Sequence, residues 1–66
     1  MDISGAVIRV FGVVVDMEFR AGDLPGIHNA LAVQSGEQGE LILEVQEHIN
    51  STTVRSIYFP FSTYIF

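Results

Sequence analysis

The 66-residue sequence contains eight acidic residues, three arginines and no lysine, which gives a formal net charge of −5. This balance argues against nucleic acid and anionic lipid as partners, because both require clustered cations that neutralise phosphates. A chain of this length forms one domain at most and buries only about 60% of its unfolded surface, so an enzyme with its own deep pocket is not expected. The hydrophobic fraction of 48% is nevertheless sufficient for a packed core.

The two ends of the sequence carry no targeting or membrane signal that we recognise. The opening "MDISGAVIRV" lacks the basic residues and the cleavage pattern of a signal or transit peptide, so we expect the mature protein to begin near Met1. The most apolar segment, "IYFPFSTYIF", is shorter than the roughly 20 residues of a membrane-spanning helix and contains Pro60. We therefore expect no insertion into a membrane.

Short segments rich in Val, Ile and Phe alternate with glycine and proline along the chain, which predicts an all-β fold. The first predicted strand, residues 6–11, is apolar at nearly every position except Arg9, so we expect both of its faces to be covered. Gly12 ends this run, as glycine does at a bulge or at a tight bend.

The second predicted strand, residues 13–19, has a strict period of two. Its odd positions, from Val13 to Phe19, are apolar and are expected to face a core, whereas the face of Val14, Asp16 and Glu18 is expected to face water. A loop over residues 20–27 follows, because Pro25 and Gly26 suit turns.

Three more elements continue the predicted meander. We expect a strand over residues 29–35, a turn over residues 36–39 and a strand over residues 40–49, in which Leu41, Leu43, Val45 and Ile49 share the core face. For residues 40–49 a helix is the alternative on composition, but the apolar period of two favours a strand.

A fifth strand, residues 54–59, is predicted after a turn at residues 50–53. In the hairpin that it forms with the preceding strand, we expect Arg55 to lie opposite Gln46 or Glu47.

Candidate sites for chemistry are few. His28 and His48, with Asp23 or Glu47, could be drawn as a metal site, but they lack ligand spacing, so we interpret both as solvent-facing histidines. Ser51, Thr52 and Thr53 have no histidine and carboxylate placed to activate a nucleophile, and turn chemistry explains them better.

The acidic residues of the fourth strand and the turn before it could be imagined as paired carboxylates for glycoside chemistry. They are Glu37, Glu40, Glu44 and Glu47. We interpret them as a solvated face, because such catalysis requires two carboxyl groups across a cleft. The sequence also has no phosphate-binding "GxxxxGK[ST]" loop, so we assign no catalytic, cofactor-binding or metal-binding residue.

Three segments resemble the catalytic beta subunit of the F-type ATP synthase, near its amino end. "SGAVIRVFGVVVDMEF", residues 4–19, is similar to the pattern "GxVxxVxGxVVDVxF", with Met17 where valine is usual. The matching positions are Gly5, Val7, Val10, Gly12, Val14, Val15, Asp16 and Phe19. "LPGIHNAL", residues 24–31, resembles "LPxIxxAL", and residues 41–57 resemble "LxLEVxxHxGxxTVRxIA". Related alpha subunits and secretion and vacuolar ATPases open with similar barrels, but the first two motifs favour beta.

The resemblance implies a small antiparallel β-barrel, six-stranded in the family, whose copies alternate with alpha-subunit barrels in a ring that holds the catalytic head together. It implies alpha subunits as partners and a place peripheral to an energy-transducing membrane, either the cytoplasmic side of a bacterial plasma membrane or a plastid thylakoid. In the family, ATP or ADP and Mg are bound by a later domain. None of that domain's motifs is present in this sequence, so we expect no cofactor and no catalytic residue in this chain.

Two departures from the family pattern shape the expected domain. Asn50 replaces the usual glycine, and residues 58–66, "YFPFSTYIF", replace the family's "TxGLxRG" stretch. We therefore expect an incomplete barrel over residues 1–57, with five strands and a divergent apolar tail over residues 58–66. The alternative that stays open is that the tail supplies a substitute for the sixth strand. An unpaired edge beside that tail predicts that the isolated chain self-associates or is poorly soluble.

Two functions remain open from the sequence. The first is an amino-terminal fragment of an ATP synthase beta subunit, whose parent synthesises ATP with proton transport while these residues supply only assembly. The alternative is a free-standing β-barrel interaction module without catalytic activity.

Overall fold

The computed structural model describes residues 4–58, and these form one antiparallel sheet. Its strands are β1 (Ala6–Phe11), β2 (Val14–Glu18), β3 (Ala30–Gln34), β4 (Glu40–His48) and β5 (Thr53–Tyr58), with a 3-10 turn at Gly36–Gln38. The strand order is β1-β2-β5-β4-β3, and the sheet curls so that its two outer strands line one cleft. The predicted all-β class is confirmed, as a five-stranded half-barrel. No helix within residues 4–58 has the length and apolar character needed to cross a bilayer.

The first hairpin turns through two residues. Phe11 pairs with Val14, which leaves Gly12 and Val13 as the loop, and Gly12 has a φ of 62°. Glycine with positive φ at the first loop position is typical of a type II′ turn, whose twist matches that of the strands. The predicted tight bend at Gly12 is thus confirmed, while the bulge lies elsewhere, between Val7 and Arg9.

The core lies on the concave side of the sheet. Six apolar side chains are buried there, from β2, the residue that follows it, β4 and β5: Val15, Met17, Phe19, Leu43, Val45 and Val54. The alternation in β2 and β4 therefore predicted the core correctly at most positions. It was wrong at Val13, which is 49% exposed because it lies in the turn, and at Ile49, which is 41% exposed because β4 ends at His48.

Pairing between distant segments defines the centre of the sheet. β2 pairs with β5, so that Asp16 lies opposite Arg55, and β4 pairs with β5 on its other side. A register shift between Val45 and Glu47 places Glu47 opposite Arg55, which confirms one of the two predicted partners. Arg55 therefore has an acidic residue across from it on both neighbouring strands.

β1 differs from its sequence-based prediction. The apolar run suggested a strand covered on both faces, but every residue of β1 is exposed. The reason is topological, because β1 lies at the end of the strand order and pairs only with β2 among the described strands. An apolar composition indicates that a strand is suited to burial, but it does not show whether a neighbouring element covers that strand.

Candidate functional site

The concave side opens as an apolar cleft of about 350 Å³ between the two outer strands. β1 and β3 form its two walls, and core side chains of β2 and β4 form its floor. The lining residues are Val7, Val10, Gly12, Val15, Val33, Gln34, Ser35, Leu41, Leu43 and Tyr58. Among the described residues this lining contains no carboxylate, imidazole or cation, so the cleft suits an apolar occupant.

Exposed apolar side chains lie along β1 and its turn, on both faces of the strand. They are Val7, Ile8, Val10, Phe11 and Val13, whose exposed fractions lie between 42% and 61%, and we call this group the β1 rim. Single exposed apolar residues are ordinary, whereas several of them on one edge strand are typical of an interaction site. The β1 rim is therefore the strongest candidate for a functional surface within residues 4–58.

An ion pair connects β2 and β5 beneath this rim. Arg55 donates two parallel hydrogen bonds to the Asp16 carboxylate, from Nε to Oδ1 at 2.9 Å and from Nη2 to Oδ2 at 3.0 Å. The Arg55 guanidinium carbon also lies 5.3 Å from the centre of the Phe11 ring, a cation–π distance. Arg9 approaches more loosely, with its Nε 3.8 Å from Asp16 Oδ2. The arrangement clamps three adjacent strands together.

Electrostatics around Asp16 favour its charged form. Hydrogen bonding from Arg55 holds the pKa of the Asp16 carboxyl below its ordinary value of 3.8; burial opposes this effect, and the positive charges of Arg55 and Arg9 reinforce it. The same hydrogen bonds raise the pKa of Arg55. Both groups are thus held in their ionised states, which describes a structural ion pair and not a proton donor or acceptor for a reaction.

Asp16 corrects a second prediction. The alternation in residues 13–19 placed it on a face in water, but Asp16 is only 2% exposed. Its side chain does lie on the convex face, opposite that of Val15 and Met17, but Arg55 and Arg9 contact it there, and the Phe11 ring lies against Arg55. Sequence analysis missed the pair because its partners are 39 residues apart and β2–β5 pairing cannot be read from periodicity.

The two histidines lie in different elements and have different partners: His28 is in the loop before β3, and His48 is the last residue of β4. His28 Nδ1 is 3.0 Å from Glu44 Oε2, and His48 donates from Nε2 to the Pro25 carbonyl at 2.7 Å. Among residues 4–58, no three His, Asp or Glu side chains are grouped to hold a metal ion. Both imidazoles are exposed and fasten the loop to β4, a role that the sequence did not indicate.

The hydroxyl residues of the last turn serve local structure. Asn50 Oδ1 accepts hydrogen bonds from the Thr52 amide at 2.9 Å and from the Thr52 hydroxyl at 3.2 Å. Thr53 is buried at the start of β5. Turn chemistry, as interpreted from the sequence, is what the structure shows at these positions.

The acidic residues of β4 share the convex surface. Glu40 and Glu47 are exposed, and Glu44 is half-buried against His28. They line neither wall of the cleft, so the geometry that glycoside hydrolysis needs is not formed by them.

Comparison with known protein families agrees with this geometry. Residues 7–64 of the 66 match the family model described as the ATP synthase alpha/beta family, beta-barrel domain. The match covers far more than half of the sequence. The chain belongs to the ATP synthase alpha/beta family.

The motifs that resembled this ATP synthase family now have structural roles. The aspartate of "VVDMEF" and the arginine of "TVRSI" are Asp16 and Arg55, the two partners of the ion pair. The glycine before "VVVD" is Gly12, which forms the hairpin turn. Motifs that are far apart in the sequence therefore converge on the β2–β5 junction of the barrel.

Two sequence predictions about this ATP synthase barrel domain stay open. The boundary between residues 57 and 58 remains a prediction, although Tyr58 belongs to β5 and the family match continues to residue 64. The remainder of the predicted tail, residues 59–66, lies outside the described residues. The absence of catalytic, cofactor-binding and metal-binding residues likewise remains a prediction.

Proposed function

We propose that this chain is the amino-terminal barrel domain of a catalytic beta subunit of the F-type ATP synthase and that it holds the alpha/beta ring together. The family match supports the barrel domain without distinguishing alpha from beta. The motifs "VVDMEF" and "LPGIHNAL" favour beta. The role in assembly rests on a separate observation, the exposure of β1.

The exposed β1 rim carries the assembly role. A domain that worked alone would gain stability by covering Val10, which is 61% exposed, and its neighbours on the edge strand. Apolar surface on an edge strand is stabilised by a neighbouring protein surface. The partners in this proposal are alpha-subunit barrels, and the protein is peripheral to an energy-transducing membrane through the ATP synthase head.

Capture by a purified alpha subunit tests the proposal. We expect a tagged copy of the full 66-residue chain to retain alpha subunit, and not beta subunit, on an affinity resin. The variant Val10→Lys places a charge on the most exposed residue of the β1 rim and is expected to reduce the captured alpha subunit about tenfold.

Ile49→Lys is the matched control, because Ile49 is also apolar and exposed but lies beyond β4. It introduces the same charge and should leave capture unchanged. Equal capture of alpha and beta subunits, or equal losses in the two variants, would contradict the assignment.

The alternative is a free-standing β-barrel interaction module without catalytic activity. The same exposed rim supports it, since the rim does not specify the partner. Cell fractionation separates the two functions. A beta-subunit domain should fractionate with the ATP synthase head, whereas a separate module should also occur apart from it.

A further inference from the structure

The turn between β4 and β5 contains an asparagine that is followed by a small residue. Asn50 and Ser51 are both exposed, and Asn50 stands where the resembling ATP synthase pattern has glycine. Asparagine is a labile side chain, because the backbone nitrogen of the next residue can attack its amide carbon within the same chain. A small next residue leaves this approach open, so the conformation of the turn determines whether the reaction occurs.

Two hydrogen bonds hold the Asn50 side chain over the peptide with which it would react. Its Oδ1 accepts from the Thr52 amide at 2.9 Å and from the Thr52 hydroxyl at 3.2 Å. Because these donors belong to the residue after Ser51, they fold the side-chain amide of Asn50 back along the main chain. Both donors also meet the oxygen that becomes negative when Cγ is attacked, which is the arrangement of an oxyanion hole.

The peptide between Asn50 and Ser51 is not tied to the sheet. Among residues 4–58, no hydrogen bond holds the Asn50 carbonyl or the Ser51 amide. The turn is closed instead by the Ile49 amide, which donates to the Thr53 carbonyl at 2.8 Å. The Ser51 nitrogen can therefore rotate towards the side chain of Asn50 while the hairpin stays closed.

The second asparagine of the sequence, Asn29, has a different backbone environment. It is also exposed and also precedes a small residue, Ala30. The Asn29 carbonyl, however, accepts a hydrogen bond from the Val45 amide at 3.0 Å, and Ala30 is the first residue of β3. This peptide is fixed in the sheet, so its nitrogen is not available to the Asn29 side chain.

We propose that Asn50 is a site of spontaneous deamidation in the folded protein, with solvent water as the co-reactant. Solvent base removes the amide proton of Ser51, and the freed electron pair forms a bond from that nitrogen to Cγ of Asn50. The bond from Cγ to Nδ2 then breaks, and its electron pair leaves with a proton from water as ammonia. Water finally opens the cyclic succinimide at either carbonyl, which yields aspartate or isoaspartate.

The reaction changes both the charge and the geometry of the turn. Each conversion adds a negative charge to a chain whose formal net charge is −5. Isoaspartate also lengthens the main chain by one carbon in the turn that sets the register of β4 and β5, in which Arg55 lies opposite Glu47. We therefore expect the isoaspartate form to unfold at lower urea concentration than the unmodified chain.

This inference goes beyond the proposed function and does not depend on it. Capture of an alpha subunit tests the β1 rim, whereas deamidation tests the turn at the far end of β4. Either result can fail while the other stands.

Peptide mapping by mass spectrometry of the folded 66-residue chain, incubated in mildly alkaline buffer, tests the proposal. The mass increase of amide-to-acid conversion should accumulate at Asn50 at least about tenfold faster than at Asn29, because only Asn50 has a positioned nucleophile. Isoaspartate should accompany aspartate, since the succinimide opens at both carbonyls. Both sites are measured in one wild-type sample, so this comparison does not depend on the folding of a variant.

Variants of the turn then test the roles of the hydroxyl and of the attacking nitrogen. Thr52→Val removes the hydroxyl donor and should slow the reaction about threefold, in keeping with the loss of one exposed hydrogen bond. Thr52→Ser is the matched control, because it keeps the donor and should react like the wild type. Ser51→Val crowds the attacking nitrogen with a β-branched side chain and should also slow the reaction. Circular dichroism establishes that each variant is folded.

Four results would overturn the proposal. They are equal rates at Asn50 and Asn29, formation of aspartate without isoaspartate, equal rates in Thr52→Val and Thr52→Ser, and a Ser51→Val protein that reacts as fast as the wild type. The second and fourth results would indicate direct hydrolysis of the side chain by water, without attack by the Ser51 nitrogen.

Discussion

At the scale of single residues, the two partners of the Asp16–Arg55 pair are not equivalent. Asp16 is 2% exposed, whereas 37% of the Arg55 side chain reaches solvent. A carboxylate without its partner would remain buried and charged, while a guanidinium without its partner can turn towards water. The stability of the fold therefore depends more on the presence of the arginine than on the charge of the aspartate.

We expect Arg55→Met to lower the free energy of unfolding more than Asp16→Asn does. The asparagine variant loses charge-assisted hydrogen bonds but leaves no buried ion, so a loss of about 1–3 kcal/mol is expected. Urea denaturation monitored by circular dichroism measures both. Arg20→Met, at an exposed loop position, is the control and should change stability by less than about 0.5 kcal/mol. A larger loss in Asp16→Asn would contradict the asymmetry.

The depressed pKa of Asp16 predicts acid sensitivity with a definite sign. Unfolded Asp16 binds its proton near its ordinary value of 3.8, and the folded protein binds it only at lower pH. The contribution of Asp16 is therefore complete above about pH 4 and is lost as the pH falls through the folded pKa. We expect the stability difference between wild type and Asp16→Asn to shrink as the pH falls from neutral to below 3.8. A difference that stays constant over this interval would show that the ion pair is not its source.

Sequence analysis predicted the positions of these residues only in part. Arg55 was expected opposite Gln46 or Glu47, and the structure places it opposite Glu47, because a hairpin register follows from local turn geometry. Its true hydrogen-bond partner was missed, because Asp16 reaches Arg55 through strand order. Periodicity assigned Asp16 to the face away from the core but could not indicate that two arginines contact it there.

At the scale of elements, the conformation of the turn at Gly12 can be tested by replacing the glycine with L-alanine or with D-alanine. A Cβ added at Gly12 would contact nothing within 4 Å, so any cost of substitution comes from its φ of 62°. We expect Gly12→Ala to lose about 1–2 kcal/mol, the usual cost of a left-handed conformation for an L-residue. D-alanine at the same position favours positive φ and should be neutral or stabilising.

Total chemical synthesis of the 66-residue chain gives access to both forms, and urea denaturation compares them. Equal losses for the two enantiomers would show that conformational strain at this turn is not what limits substitution.

β1 and β4 differ in how well their burial could be predicted from sequence. β4 was predicted from the alternation of Leu41, Leu43, Val45 and Ile49, of which Leu43 and Val45 are buried and Ile49 is exposed. β1 was also recognised as a strand, but its coverage was predicted wrongly. An alternating pattern indicates which face of a strand points to the core. An apolar run such as residues 6–11 fits a central strand and an edge strand equally well.

At the scale of the whole molecule, we expect no nucleotide binding. The cleft is apolar, and the cations of the described residues are three arginines, of which Arg55 is already paired with Asp16. Phosphate cradles need glycine-rich backbone and a lysine, and the sequence has no lysine. Isothermal titration with ATP and MgCl₂ should give no binding isotherm at micromolar to low millimolar ligand. An isotherm with a Kd near 10 μM would contradict this expectation.

For the molecule as a whole, sequence patterns and the family resemblance gave the all-β class and barrel architecture. The composition alone shows that the sequence has no cysteine to act as a ligand and only three arginines and no lysine to form a basic surface. The candidate interaction surface was not foreseen as such, because exposure of the β1 rim follows from the strand order β1-β2-β5-β4-β3. That order depends on pairing between segments that are distant in the chain.

The β2–β5 junction also determines when the protein can fold during synthesis. Arg55 is 39 residues beyond Asp16, and at translation rates of about 5–20 residues per second it is made about 2–8 s later. Hairpins form in about 1–10 μs from neighbouring residues, so β1–β2 and β3–β4 do not need β5 for their closure, whereas the edge of β2 does. The carboxylate of Asp16 is then still hydrated, and the central seam of the sheet assembles last. Any delay between the synthesis of Asp16 and that of Arg55 therefore extends the time for which the edge of β2 that later pairs with β5 stays open.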